Sequence, residues 1–193
     1  EVGYVKGFIQ GSWYRQLPAS RQMVVALRGA LGAAHGFPRS VLAVDPDGNP
    51  VIGPDGLPVS ALVQDLPASE RFFAGGPTTN RGFSTDQLGN EDTISPGGFP
   101  TGGNGEILLN GEFRVGLVRA FSGVGFLDAG NVFKNATDIR LVDLRASAGF
   151  GLRLGSALGP IRLDFGFKLR PKVSLTGQRE KGWEYHLSIG EAF

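Results

Sequence analysis

Seven blocks of this chain repeat one pattern: apolar side chains at alternate positions, opposed by charged, polar or glycine residues. A period of two is that of a β-strand, whose successive side chains point to opposite faces. The pattern is clearest in the second half. Ile107, Leu109, Phe113, Val115 and Leu117 alternate with Glu106, Asn110, Glu112 and Arg114. Phe121, Gly123, Gly125, Leu127 and Ala129 oppose Ser122, Val124, Phe126, Asp128 and Gly130. Ala146, Ala148, Phe150 and Leu152 then oppose Arg145, Ser147, Gly149, Gly151 and Arg153, and Ile161, Leu163, Phe165 and Phe167 oppose Arg162, Asp164, Gly166 and Lys168. In the last block Trp183, Tyr185, Leu187, Ile189 and Phe193 oppose Glu184, His186, Ser188 and Gly190. Near the start, Met23, Val25, Leu27, Leu31 and Ala33 face away from Gln22, Arg28 and Gly32, while Tyr4, Phe8 and Tyr14 against Val5, Ile9 and Trp13 give a mixed alternation. The blocks predict strands over about 3–16, 21–35, 105–118, 120–133, 142–154, 160–170 and 182–193.

Two architectures use such strands. A soluble sandwich turns the polar face to water and shares an apolar core. A membrane barrel inverts this, with apolar side chains toward lipid and polar ones toward a lumen. Three features favour the barrel: short turns (17–20, 155–159) alternate with long loops (37–103, 170–182), Trp183 and Phe193 bracket the last block as girdle aromatics do, and that block closes on an aromatic. The 31 glycines and the low charged fraction of 19% fit strands that bend and pack closely. No apolar run is long enough for a transmembrane helix, a criterion that does not bear on strands. Glu1 begins on a strand pattern without a signal peptide, so an exported protein is expected here as a mature chain or a fragment.

Several functions lose support. A net charge of +1 leaves no footprint for nucleic acid. With no cysteine there is no disulfide, thiolate metal site or thiol catalysis. No Gly-x-Ser-x-Gly elbow is present, and His35 and His186 are not spaced as a metal pair, each reading as an interface or lumen polar residue. Asp45, Asp47 and Asn49 begin like a calcium loop, but the glycine and glutamate it needs are misplaced, and 45–50 with 53–58 reads as turns of a small hairpin or excursion. No catalytic residue and no cofactor are expected.

Within the long loop, Phe72, Phe73 and Phe83 stand beside Gly75, Gly76 and Gly82 and a single cation, Arg81. Such a segment is either a surface loop with an aromatic cluster or a loop folded back into an interior.

The motifs Glu70-Arg-Phe-Phe-Ala-Gly-Gly with Arg81-Gly-Phe83, Gly102-Gly-Asn104, Leu109-Asn-Gly-Glu112-Phe, Phe126-Leu-Asp128-Ala-Gly-Asn131, Gly159-Pro-Ile-Arg-Leu-Asp-Phe165 and Ile189-Gly-Glu-Ala-Phe193 run in order along the chain. Together they resemble the C-terminal barrel half of the BamA/TamA superfamily (bacterial surface antigen family) of outer-membrane assembly and translocation proteins. The resemblance implies an all-β, transmembrane antiparallel barrel of sixteen strands, of which these are the last seven, with loop 37–103 folded into the lumen. It carries the loop arginine of the family onto Arg81, flanked by Gly82 and Phe83, and its acidic partners onto Glu112 and Asp128. The parity of the strands independently puts both carboxylates on the polar face. Where the family has an aliphatic residue before the arginine, this chain has Asn80. A guanidinium taken into a lumen needs carboxylates that match its fork, and Phe83 and Phe126 are expected to shield the pair. Pinning the loop for stability and a part in moving substrate both remain open as its role.

The resemblance further implies that the last strand (Trp183, Tyr185, Leu187, Ile189, Phe193) carries a C-terminal insertion signal. It would pair weakly with the first barrel strand at a seam near Gly190, offering an edge to a client strand. The expected function is a non-enzymatic, multi-pass outer-membrane assembly and insertion factor. Its partners would be outer-membrane lipids, unfolded β-barrel clients and periplasmic accessory lipoproteins. A passive secretion pore plugged by the loop, or a barrel anchoring an upstream enzyme domain, are the alternatives. Seven strands do not close a sixteen-stranded wall, so a fragment of a longer protein is expected.

Overall fold

The computed structural model of the chain describes residues 3–18, 22–45, 49–157, 159–173, 177 and 179–193. Ala19 and Ser20 of the first turn, and Asp47 of the calcium-like run, lie outside the described residues. Among the described residues, nine strands form two antiparallel sheets: β1 (Tyr4–Gln16), β2 (Met23–Gly36), β3 (Arg39–Leu42), β4 (Ser60–Val63), β5 (Gly105–Val118), β6 (Phe121–Phe133), β7 (Arg145–Leu154), β8 (Ile161–Lys168) and β9 (Trp183–Ile189). The main sheet runs β1-β2-β5-β6-β7-β8-β9, each strand beside its sequence neighbour except where the β3–β4 hairpin and the rest of the long loop intervene between β2 and β5.

Burial is inverted relative to a soluble domain. Leu127 is 55% and Leu187 73% exposed, whereas Glu112 is 3% and Asp128 and Asp164 are 0% exposed. The polar face is covered by the long loop, whose Leu66 and Phe72 cluster on Ala34 and whose Ala74, Phe83 and Leu88 cluster with Ala30, Leu108 and Val132. Ala26, Ala30 and Ala34 keep this face of β2 low, so the loop backbone lies close to the strand. A neck of paired hydrogen bonds, Phe72 N to Gly103 O (2.8 Å) and Gly103 N to Phe72 O (3.1 Å), sets where the loop turns inward.

The register places chemically related residues in rows across the sheet. One row reads Ala26, Glu112, Phe126, Gly149, Gly166 and Glu184, and the next Arg28, Asn110, Asp128, Ser147 and Lys168. Glu112 and Asp128 are thus diagonal neighbours, not direct cross-strand partners, which avoids opposing two carboxylates.

Three predicted strands are shorter than the alternation implies, the block 160–170 being strand over Ile161–Lys168. The block 142–154 becomes strand only at Arg145, because Leu141–Asp143 forms a single helical turn with Arg140 Nε 2.7 Å from Asp143 Oδ2. The block 182–193 stops at Ile189, because Gly190 takes φ of 100°, a left-handed conformation that breaks the pleat, and its N–H donates to Pro160 O at 2.9 Å. Phe193 therefore does not stand at the strand end opposite Trp183 as a girdle residue. The tail turns across the polar face, where Tyr14 Oη donates to Phe193 O at 2.5 Å and their rings stack at 6.4 Å.

The outward apolar face is the testable part of this arrangement. Leu127 lies midway along β6 on that face. Leu127→Arg in the protein folded into lipid vesicles is expected to cost about 2–4 kcal/mol in urea titration. A midpoint unchanged by the substitution would mean that the face meets water and would overturn the barrel reading.

Candidate functional site

The sharpest turn of the long loop is built by its own sequence. Gly76 N donates to Phe83 O at 2.9 Å, Phe83 N donates to Asn80 O at 3.2 Å, and Gly75 N donates to Thr79 Oγ1 at 2.8 Å. This double turn projects Arg81 toward β5 and β6.

Arg81 is 1% exposed and uses its whole guanidinium. Nε donates to Asp128 Oδ2 at 2.8 Å and Nη2 to Asp128 Oδ1 at 2.7 Å, a two-point fork, while Nη1 donates to Glu112 Oε1. Its backbone N–H also donates to Asp128 Oδ2 at 3.0 Å, and its guanidinium carbon lies 3.6 Å from the centroid of the Phe126 ring. Asn110 Nδ2 supports Asp128 Oδ1 at 2.9 Å and holds the loop through Thr79 O at 2.6 Å. Burial works against the charge of Arg81, but the hydrogen bonds and charges of Asp128 and then Glu112 outweigh it and hold the guanidinium above its ordinary range.

Of the residues expected to shield this pair, Phe126 does so and Phe83 does not. The Asn80–Phe83 turn swings Phe83 away, so its ring instead lies under two other cations, Arg145 (4.5 Å) and Lys168 (4.6 Å). Asn80, where the resemblance implies an aliphatic residue, is fully buried and satisfied. Its Nδ2 donates to Arg145 O (3.0 Å), and its Oδ1 accepts from Ser147 Oγ (2.6 Å) and Gly82 N (3.3 Å). The polar side chain has thus acquired polar partners on β7.

The structure adds members that sequence reading did not single out. Arg114 Nε donates to Glu112 Oε2 at 2.7 Å and Nη1 to Glu191 Oε2 at 3.0 Å. Arg153 Nη1 donates to Asp164 Oδ1 at 2.6 Å, and Arg162, 1% exposed, sends Nη2 to the loop carbonyl of Pro77 at 2.7 Å. Arg153 and Arg162 are direct cross-strand partners, a like-charge pair that is unfavourable unless an anion stands beside it. Asp164 takes that position. The signal for these residues was their parity, shared with Glu112 and Asp128; what parity lacks is the identity of the loop atom they reach.

The terminal-strand candidates divide by face. Trp183, Tyr185, Leu187 and Ile189 all point outward and are exposed, and Lys181 Nζ sits 4.3 Å over the Trp183 ring. His186 points the other way, with Nε2 3.1 Å from Arg81 O, so the tautomer protonated there donates to the loop. His35 is on the outer face beside Gln64 (3.3 Å) and Phe37. Among the described residues no group of three His, Asp or Glu side chains is arranged to hold a metal ion.

Replacing Arg81 tests the energetic weight of the cluster. Arg81→Ala leaves two buried carboxylates short of their counter-charge and is expected to lower unfolding free energy by roughly 3–5 kcal/mol. Arg81→Lys is expected to recover little, since one ammonium nitrogen does not reproduce the planar fork of Nε, Nη1 and Nη2. Urea titration with limited proteolysis of the loop reads both, and wild-type behaviour of Arg81→Ala would contradict the analysis.

Comparison with known proteins gives the chain a family. The Omp85 superfamily domain matches residues 1–193. The chain is 29% identical over 134 residues to the outer membrane protein assembly factor BamA of Nitratidesulfovibrio vulgaris (strain Hildenborough), covering 67% of this chain and 16% of that protein. Its fold is similar to the crystal structure of BamA from Haemophilus ducreyi lacking POTRA domains 1–3, with a TM-score of 0.63 at 19% identity, over 94% of this chain and 34% of that one. The chain therefore spans about a sixth of the curated relative and about a third of the solved chain. With a domain match along its whole length and a sheet that turns its apolar face outward, the chain belongs to the Omp85 superfamily of outer-membrane β-barrel proteins.

Proposed function

We propose that this chain is the C-terminal wall of an outer-membrane insertase. Loop 37–103 would fold into the lumen, Arg81 would lock it there, and β9 would form one side of a lateral seam. The observation that carries the reading is the fork of Arg81 on Asp128 with Glu112, a loop-to-wall attachment that no flexible surface loop requires. The relative from Nitratidesulfovibrio vulgaris, named as an assembly factor and not as an enzyme, gives the direction of the function.

Strand lengths support the seam. β1 and β2 have 13 and 14 residues, whereas β9 has seven and then turns away at Gly190. A short ladder holds few backbone hydrogen bonds, so β9 is the weakest place at which to close a wall and the easiest to exchange for a client strand. Outer-membrane lipids would meet the exposed row Trp183, Tyr185, Leu187 and Ile189. Unfolded β-barrel chains would be the substrates, and periplasmic lipoproteins would act from the turn side.

The test uses the full-length protein. A disulfide from Leu187→Cys to a cysteine on the first barrel strand should abolish client insertion while the barrel stays folded, and reduction should restore it. Insertion or secretion that continues unchanged with the seam locked would reject lateral opening and leave a secretion pore with the loop as its plug.

A further inference from the structure

The ion pairs of the polar face form one connected cluster. Arg81, Arg114, Arg153 and Arg162 are linked through Glu112, Asp128 and Asp164, and Glu191 on the tail beyond Gly190 joins from the solvent side through Arg114. The loop tip and the terminal strand therefore share one electrostatic neighbourhood.

Two contacts join them directly. His186 of β9 reaches Arg81 O at 3.1 Å. Arg162 of β8 spans the gap: Nη2 donates to Pro77 O in the loop at 2.7 Å, and Nε donates to Ser188 Oγ of β9 at 3.1 Å. Ser188 is the cross-strand partner of Arg162, so this bridge runs along the register. Asp164 Oδ2 lies 3.8 Å from Arg162 Nε, too far for a hydrogen bond, which leaves the loop carbonyl and the serine as the groups that orient this guanidinium. The loop backbone approaches β8 closely enough that a methyl group at Gly166 would run into the carbonyl of Arg81.

We infer that Arg162 is a positioning residue that couples the docked loop to the terminal strand, so that loop release and loosening of β9 are a single equilibrium. This rests on the reading of β9 as a seam strand and assigns the part that controls it. In the docked state one buried cation satisfies acceptors on both sides. When the tip leaves, Arg162 loses its loop acceptor and β9 loses the His186 contact, so the strand keeps its β8 ladder, the Ser188 bond and the tail contacts but no tie to the loop. The linkage is reciprocal: a client that displaces β9 weakens the hold on the loop.

Hydrogen exchange of the full-length protein in lipid nanodiscs tests this, with segments 77–82 and 183–189 as the two readouts. Arg162→Gln is expected to raise exchange in both segments by about tenfold, the scale of losing hydrogen bonds to a charged group. Gly166→Ala dislodges the tip sterically without altering any side chain of β9, and it is expected to loosen 183–189 as well. The double variant should loosen 183–189 no more than the stronger single one, because both cut the same connection. Gly166→Ala that frees 77–82 while 183–189 stays protected would overturn the proposal, as would additive effects at 183–189, the mark of purely local packing. Failure of the seam reading would appear instead in the disulfide experiment, with this exchange pattern intact.

Discussion

A guanidinium does not give up its proton to escape burial. Once Arg81 is drawn between the loop and the sheet, two carboxylates have to meet it, and their positions then decide much else. Glu112 and Asp128 come from neighbouring strands in diagonal register, so β5 and β6 have to be paired before both are in reach. Phe126 sits in the same row as Glu112 and gives the cation a face to lie on. The row continues through Gly149, whose missing side chain leaves room for the Phe126 ring, and Gly166, whose missing side chain leaves room for the Arg81–Gly82 backbone. One cation thus explains the placement of acids, an aromatic and glycines on four consecutive strands.

The same arrangement replaces what a soluble protein obtains from a hydrophobic core. With the apolar side chains turned outward, the interior side of the sheet has charge to bury and little grease to bury it with. The loop supplies both: Leu66, Phe72, Phe83 and Leu88 pack on the alanine face of β2 and around Leu108 and Val132, and backbone carbonyls at Pro77, Thr79 and Arg81 accept from Arg162, Asn110 and His186. Loop and sheet satisfy one another over residues 66–88.

The period of two made the sheet and its faces legible before any coordinates; the acidic partners of Arg81 came from the family resemblance, with parity agreeing on their face. Parity is a local property, and it survives because a strand's side-chain direction is fixed by its backbone. Three features lay beyond its reach. The sides of Phe83 and Arg81 diverge because of a turn whose hydrogen bonds join Gly76, Asn80 and Phe83, and no alternation encodes that. Asn80 looks like a loss of packing in sequence, yet Ser147 and the Arg145 carbonyl complete it. The last strand reads as continuing to Phe193, but Gly190 ends it. Arg162 and His186 stood on the correct face in the sequence, while their partners, 85 and 105 residues away in the loop, were set only by tertiary approach.

The loop tip gathers its partners in chain order. Counted from the loop residue each one touches, Glu112 is 31 residues away, Asp128 47, Ser147 65, Arg162 85 and His186 105, one from each successive strand. Space has been laid out as a timetable. A chain whose strands join the wall one after another acquires the first counter-charge early and the contacts to the final strand last, and each step closes a longer loop than the one before. The finished tip is therefore a record of arrival: its contact of longest reach forms only when β9 is in place.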